Sequence, residues 1–140
     1  MLKVVELEPG DVHELFLRLT TGDYASFADG CTEGIVVIVR HGRESVNLHR
    51  TDVGAWFEDQ FRDSGATLCS TPSMVYISGE RAMVVLGHAL RRDGANRQYQ
   101  TINQCEFDHG RLARWTVSPL NLSEYALAWD LPSLDQLVPA

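Results

Sequence analysis

The run Arg97-Gln98-Tyr99-Gln100-Thr101-Ile102-Asn103-Gln104-Cys105-Glu106-Phe107 carries one kind of residue on its odd positions and another on its even ones. Side chains alternate between the two faces of a strand. Tyr99, Thr101, Asn103, Cys105 and Phe107 are therefore expected inward, with Gln98, Gln100, Ile102, Gln104 and Glu106 mostly facing water. Before this run, Arg81 to Leu90 is also extended and is joined to it through Arg92-Asp93-Gly94. Asp-Gly is a strong hairpin signal because both central residues tolerate positive φ. After it, Asp108-His109-Gly110 turns the chain into Arg111 to Ser118, which puts Ala113, Trp115 and Val117 on one face and Arg114, Thr116 and Ser118 on the other. The stretch from Glu80 to Pro119 thus reads as three long antiparallel strands in series. Tyr99, Thr101 and Asn103 are polar where a plain core would carry Val or Ile. Buried polar groups cost free energy unless paired, so these three either bond to one another or line a cavity.

Upstream, Pro9-Gly10 precedes a helix that Asp11 is expected to cap, with Glu14 as its capping-box partner. Val12, Leu15, Phe16 and Leu19 share one helical face. Gly22 suits the left-handed end of that helix, and Asp23 can cap a short second helix carrying Tyr24 and Phe27. Ile35 to Val39 is a β-branched run and a first strand. His41-Gly42 turns it, and Ser45 to His49 is a short second strand. Thr51-Asp52 opens a third helix with Val53, Trp56, Phe57 and Phe61 as its apolar stripe, stopped at Ser64-Gly65. Ala66 to Ser78 is extended, with a bulge or sheet edge at Pro72 because Pro cannot donate to a ladder. Downstream, Asn121 to Trp129 forms a last short helix with Leu122, Tyr125, Ala126 and Trp129 inward. The tail to Ala140, with Pro132 and Pro139, is irregular. This order predicts an α+β domain, a curved antiparallel sheet wrapped on helices near residues 11–20 and 51–64. Strands of about 11 residues span about 36 Å. A sheet that long curls, and curled around helices it makes a cone-shaped barrel with a cavity at its open end.

The 140 residues make one domain, 1–140, with a real core and are too few for two. Hydrophobic residues at 44% argue against disorder. The formal net charge of −7 disfavours nucleic acid, which needs a basic footprint, and an anionic membrane surface. No apolar run approaches the roughly 20 residues of a membrane span, and Met1 to Glu6 lacks the long apolar core of a signal peptide. Cys31, Cys69 and Cys105 are widely spaced and include no C-x-x-C pair, so neither a zinc knuckle nor a disulfide framework is suggested. A reducing cytoplasm is the simplest compartment. His13, His41, His49 and His109 form no ligand pair with a nearby carboxylate, so no metal site is expected.

Four short motifs, in this order and spacing, carry a resemblance: Thr21-Gly22-Asp23-Tyr24, Gly42-Arg43-Glu44-Ser45-Val46, Phe107-Asp108-His109-Gly110-Arg111-Leu112 and Asn121-Leu122-Ser123. The chain resembles the nuclear transport factor two-like superfamily over nearly its whole length, and within it the SnoaL-like polyketide cyclases and ketosteroid isomerases. The resemblance implies that Leu86, His88 and Leu90 point into the cone beside Tyr99, Thr101 and Asn103. It places Asn103 where ketosteroid isomerases carry a protonated Asp that donates to a developing oxyanion, a task an amide can also perform. It also implies departures. Leu15 stands at the isomerases' tyrosine position, no Asp stands between Glu33 and Val36 where their general base lies, and His88 lacks the acidic partner the cyclases use.

His88 is the candidate acid or base, since an unperturbed imidazole titrates near neutrality. The alternative is a semi-buried ring bonded to Tyr99 or to a backbone carbonyl. Asn103, with Tyr99, is the candidate carbonyl holder, or else a structural amide bridging strands. Leu15, Phe16, Trp56, Leu86, Leu90, Thr101, Trp115 and Val117 are the candidate ligand contacts. The expected function is cofactor-independent proton-transfer chemistry, namely cyclisation, isomerisation or dehydration, on a small apolar carbonyl metabolite held in the cone. The alternative is a non-catalytic ligand-binding or association module of the same fold. Met83, Val85, Gly87 and Ala89, with Ile102 beside them, make an apolar patch ringed by amides on the convex face, which leads us to expect a homodimer through that face.

Overall fold

The computed structural model describes residues 7–41 and 44–129. The expected features at Met1 to Glu6, at Gly42-Arg43 and in the tail from Asp130 to Ala140 lie outside the described residues.

The first helix, α1 (Pro9–Thr20), starts earlier than expected. Glu8 is its N-cap without a side-chain cap bond, and Pro9 fills the first turn, where a missing N–H leaves nothing unsatisfied. Asp11 therefore lies within the first turn, complementing the helix dipole instead of capping it. Val12, Leu15, Phe16 and Leu19 form its buried face, and Gly22 reverses the chain at φ 75°. Asp23 caps α2 (Tyr24–Asp29), its carboxylate accepting from the Ser26 N–H at 3.2 Å. The third helix, α3 (Arg50–Asp63), buries Val53 and Phe57. Ser64 then stops the chain: its Oγ accepts from the N–H of Leu68 at 2.9 Å and donates to the Phe61 carbonyl at 2.7 Å.

The strands are β1 (Cys31–His41), β2 (Glu44–Leu48), β3 (Cys69–Ser78), β4 (Arg81–Arg92), β5 (Ala95–Asp108) and β6 (Arg111–Pro119). They form one sheet in the order β2-β1-β6-β5-β4-β3. The meander is antiparallel, with His88 opposite Tyr99 and Asn103 opposite Val117. Its turns are two-residue hairpins whose central residues all have positive φ, Asp93 and Gly94 in one and His109 and Gly110 in the other. The sheet departs from the antiparallel expectation at one pairing, where β1 runs parallel to β6. Hairpin turns write antiparallel neighbours into local sequence, whereas a parallel pair is made by a long connection and leaves no turn signal. The sheet is also open, with β2 and β3 as its edges, so it curls without closing into a barrel. A register shift between Pro72 and Met74 marks the bulge expected at Pro72.

Tyr99, Thr101, Asn103, Cys105 and Phe107 are all buried, as the alternation requires. The concave side of the sheet packs on α1, α2 and α3. At its centre Trp115 contacts Phe16, Phe27 and Phe57, with ring centroids 5.6, 5.3 and 5.6 Å away. Such pairs add about 0.5–1.5 kcal/mol each beyond the area they bury. At the far end of β4 and β5, α4 (Leu122–Ala128) is capped by the Asn121 side chain, which accepts from the Glu124 N–H at 3.0 Å. Ala128, with Tyr125 and Trp129, packs there on Leu68, Leu90 and Tyr99. No described helix is long and apolar enough to cross a membrane.

Candidate functional site

The sheet register brings four strands' polar side chains together inside the cone. Ser70 on β3 stands opposite His88 on β4, which stands opposite Tyr99 on β5. The Ser70 hydroxyl meets His88 Nδ1 at 2.7 Å, and His88 Nε2 meets Thr101 Oγ1 at 2.8 Å. Asn103 Nδ2 donates to Thr101 Oγ1 at 3.0 Å and to the Val84 carbonyl at 3.1 Å. Trp115 Nε1 donates to Asn103 Oδ1 at 2.8 Å. That indole N–H fixes which way the amide points, since an indole can only donate. The result is one relay, Ser70–His88–Thr101–Asn103–Trp115, running from the sheet's edge strand into the aromatic core.

His88 is partly accessible, and its ring stacks on Tyr99 with centroids 4.5 Å apart and planes 13° from parallel. Desolvation pushes its pKa down to about 3, so the ring is neutral near pH 7. A neutral imidazole offers one N–H and one acceptor nitrogen. Ser70 and Thr101 each bring a hydroxyl hydrogen, so one of the two is left over, and the tautomer selects which. Tyr99 is buried and its phenol pKa is raised by desolvation. Tyr125 meets the Tyr99 ring edge-on at 5.2 Å.

His88, Tyr99, Asn103, Trp56, Leu86, Thr101, Trp115 and Val117 line one cavity, joined by Phe57, Gln60 and Tyr125. Leu15, Phe16 and Leu90 do not reach it. Leu15 and Phe16 are packed in the main core, and Leu90 lies under α4. The cavity measures about 30 Å³, room for about one water molecule. Among the described residues its wall contains no carboxylate. The Asn103 amide is fully buried and both of its N–H groups are engaged. His88 bonds to hydroxyls, neither to Tyr99 nor to a backbone carbonyl. Ser70 had no sequence signal of its own: its place opposite His88 follows from the β3–β4 register, which the bulge at Pro72 hides. Among the described residues no three metal-binding side chains converge.

A larger concavity lies on the convex face, about 550 Å³, lined by Arg40, Tyr76, Arg81, Met83, Glu106 and Arg114 among others.

No family model matches the chain, and no curated protein matches it. Its likeness is to solved structures. Bal32a from a soil-derived mobile gene cassette superposes with a TM-score of 0.75 at 17% identity, over 86% of this chain and 94% of that one. A protein with a ketosteroid isomerase-like fold from Catenulispora acidiphila, in complex with trimethylamine, gives 0.71 at 11% identity over 90% and 96%. A nuclear transport factor two-like protein of unknown function from Burkholderia pseudomallei gives 0.70 at 15% identity over 85% and 94%. At these identities the likeness speaks for the fold: the chain has the cone of the nuclear transport factor two-like, ketosteroid isomerase-like proteins.

Proposed function

We propose that this protein is a non-catalytic binding module built on that cone, in which the inward polar residues hold the sheet together. One observation carries the reading: the cone is filled to about 30 Å³ and its polar groups are bonded to one another. Proton transfer beside a carbonyl needs a base whose pKa lies near the working pH. His88, held near 3 by desolvation, is a weak base, and among the described residues no carboxylate lines the cavity to orient it or share its proton. We place the module in the cytoplasm, a reading its free thiols at Cys31, Cys69 and Cys105 support.

A second reading keeps a cofactor-independent enzyme, with His88 moving a proton and Asn103 and Tyr99 holding a carbonyl oxygen. The uncommitted hydroxyl hydrogen favours it, because the Nε2–H tautomer leaves Thr101 with a free O–H in the cavity wall. Proton NMR in deuterium oxide with 2-acetonaphthone, an enolisable aryl ketone, separates the two. The module should leave the methyl protons exchanging at the buffer rate. Exchange accelerated by the protein and lost in His88→Ala overturns the first reading in favour of the second.

A further inference from the structure

The helix α4 is short and lightly anchored, yet it carries a large ring into the cone. Seven residues are too few for a helix to stand alone in water, so its packing sustains it. Its buried side chains are two alanines, Ala126 and Ala128, and a buried alanine takes little apolar area out of water. Ala128 belongs to a small cluster with Leu68, Leu90 and Tyr99, apart from the main core. Such satellite clusters open more readily than a core does. The chain is pinned just before the helix, where the Leu120 N–H donates to the Gln100 carbonyl at 2.9 Å. At the other end Arg97 Nη1 donates to the Leu127 carbonyl, and the Arg92 guanidinium lies 5.7 Å over the Trp129 ring. The helix is thus tethered at Leu120 and clasped at its C-terminal end by cations, which favour that pole of a helix. Its half-buried Tyr125 forms part of the cavity wall with Trp56 and Trp115 and meets the Tyr99 ring edge-on at 5.2 Å. Burial raises the Tyr125 phenol pKa, so its oxygen end sits out of the water.

We propose that α4 is a hinged plug: Tyr125 occupies the cone as a built-in phenol, and a free, neutral, single-ring phenol takes its place when the helix lifts. This rests on the binding-module reading and gives that module its ligand class and its gate. The wall around that place is aromatic, with Trp56, Phe57, Tyr99 and Trp115, which suits a flat ring. An apolar cavity of about 150 Å³ stays dry and takes up benzene. Lifting Tyr125 out adds the volume of one such ring to the present cavity of about 30 Å³. An anion is disfavoured, because among the described residues the wall holds no guanidinium or ammonium to replace the water it would lose. The bonds of Asn103 to Val84, Thr101 and Trp115 stay in place, since Tyr125 is no partner in them.

The test uses p-cresol, the free equivalent of a tyrosine side chain, with p-toluate as its charged control. Tyr125→Ala empties the place without touching those bonds. This variant should bind p-cresol saturably by titration calorimetry with a Kd on the order of 0.1–1 mM, and p-toluate at least about tenfold more weakly. Wild-type protein should bind p-cresol at least about tenfold more weakly than Tyr125→Ala, because only the lifted fraction is competent. Arg97→Gln, which keeps Tyr125 and loosens the clasp, should bind it severalfold more tightly than wild type. In each complex the indole N–H signals of Trp56 and Trp115 should shift in proton–nitrogen NMR spectra, which locates the ligand in the cone. Circular dichroism checks that both variants keep the fold, and if Tyr125→Ala unfolds, Arg97→Gln against wild type decides alone. Equal affinity in wild type and Tyr125→Ala, no saturable binding by folded Tyr125→Ala, no gain in Arg97→Gln, toluate binding as tight as cresol binding, or unshifted indole signals each overturns the proposal. Neither probe is an enolisable ketone, so failure here leaves the ketone-exchange result untouched and the two readings fall separately.

Discussion

Asn103→Leu tests whether the inward polar residues support the fold or wait for a ligand. The side chain is fully buried, and leucine keeps its branched four-atom skeleton while replacing the amide with two bulkier methyls. The change deletes the bonds to the Val84 carbonyl at 3.1 Å, to Thr101 Oγ1 at 3.0 Å and from Trp115 Nε1 at 2.8 Å. Trp115 is 1% exposed, so its N–H is left without water or protein acceptor. A buried orphan donor costs about 1–3 kcal/mol and each other lost bond about 1 kcal/mol. The added apolar burial returns about 1–2 kcal/mol. The net loss should be about 1–4 kcal/mol, read from urea unfolding with an unchanged m-value. Trp115→Phe removes the orphan donor, so it should cost less in a chain already carrying Asn103→Leu than in wild type. The double-mutant cycle should give a coupling of about 1–2 kcal/mol. Additive effects, or a loss under about 0.5 kcal/mol for Asn103→Leu, would refute the idea that this amide is structural.

Two further outcomes follow from the same core. The His88 pKa, about 3 in the folded protein, lies below the usual 6.5 or so of an unfolded chain, so between these values the unfolded state binds the extra proton. Stability should be fully present above about pH 6.5 and fall by up to about 1.4 kcal/mol per unit below it. His88→Gln should flatten that part of the acid limb in pH-dependent urea melts, and an unchanged slope would count against a neutral, desolvated ring. Gly30→Ala should lower the melting temperature, because its Cβ would lie 2.5 Å from Leu15 Cδ1 and 3.3 Å from the Phe27 carbonyl oxygen. The overpacking should cost about 1–3 kcal/mol, and an equal or higher melting temperature would show that Leu15 moves aside freely.

What local chemistry specifies was legible in the sequence. Asp93-Gly94 and His109-Gly110 fix two hairpins, and the first fixes the β4–β5 register and, by alternation, the inward face of β5; on β6 a bulge shifts the register between Glu106 and Phe107, so Leu112, not the expected Ala113, is buried with Trp115 and Val117. The Asp23 and Asn121 caps follow from side chains that reach N–H groups three residues on. The parallel β1–β6 pair was not legible, because it joins segments with no turn between them. Nor was the state of the polar residues. Tyr99, Thr101 and Asn103 on an inward face fit both a lined cavity and a closed network. The difference lies in Ser70 and Trp115, which arrive from β3 and β6 to complete the bonds.

The bonds inside the cone set what a ligand there would have to undo. A molecule that took the Asn103 amide would have to replace bonds to Val84, Thr101 and Trp115, inside a space of about 30 Å³. Each bond lost without replacement leaves a buried group unsatisfied, at about 1–3 kcal/mol. It would also have to part Trp115 from rings packed 5.3–5.6 Å away. A ligand arriving in the cone at that amide would first have to undo part of what holds the sheet to its helices.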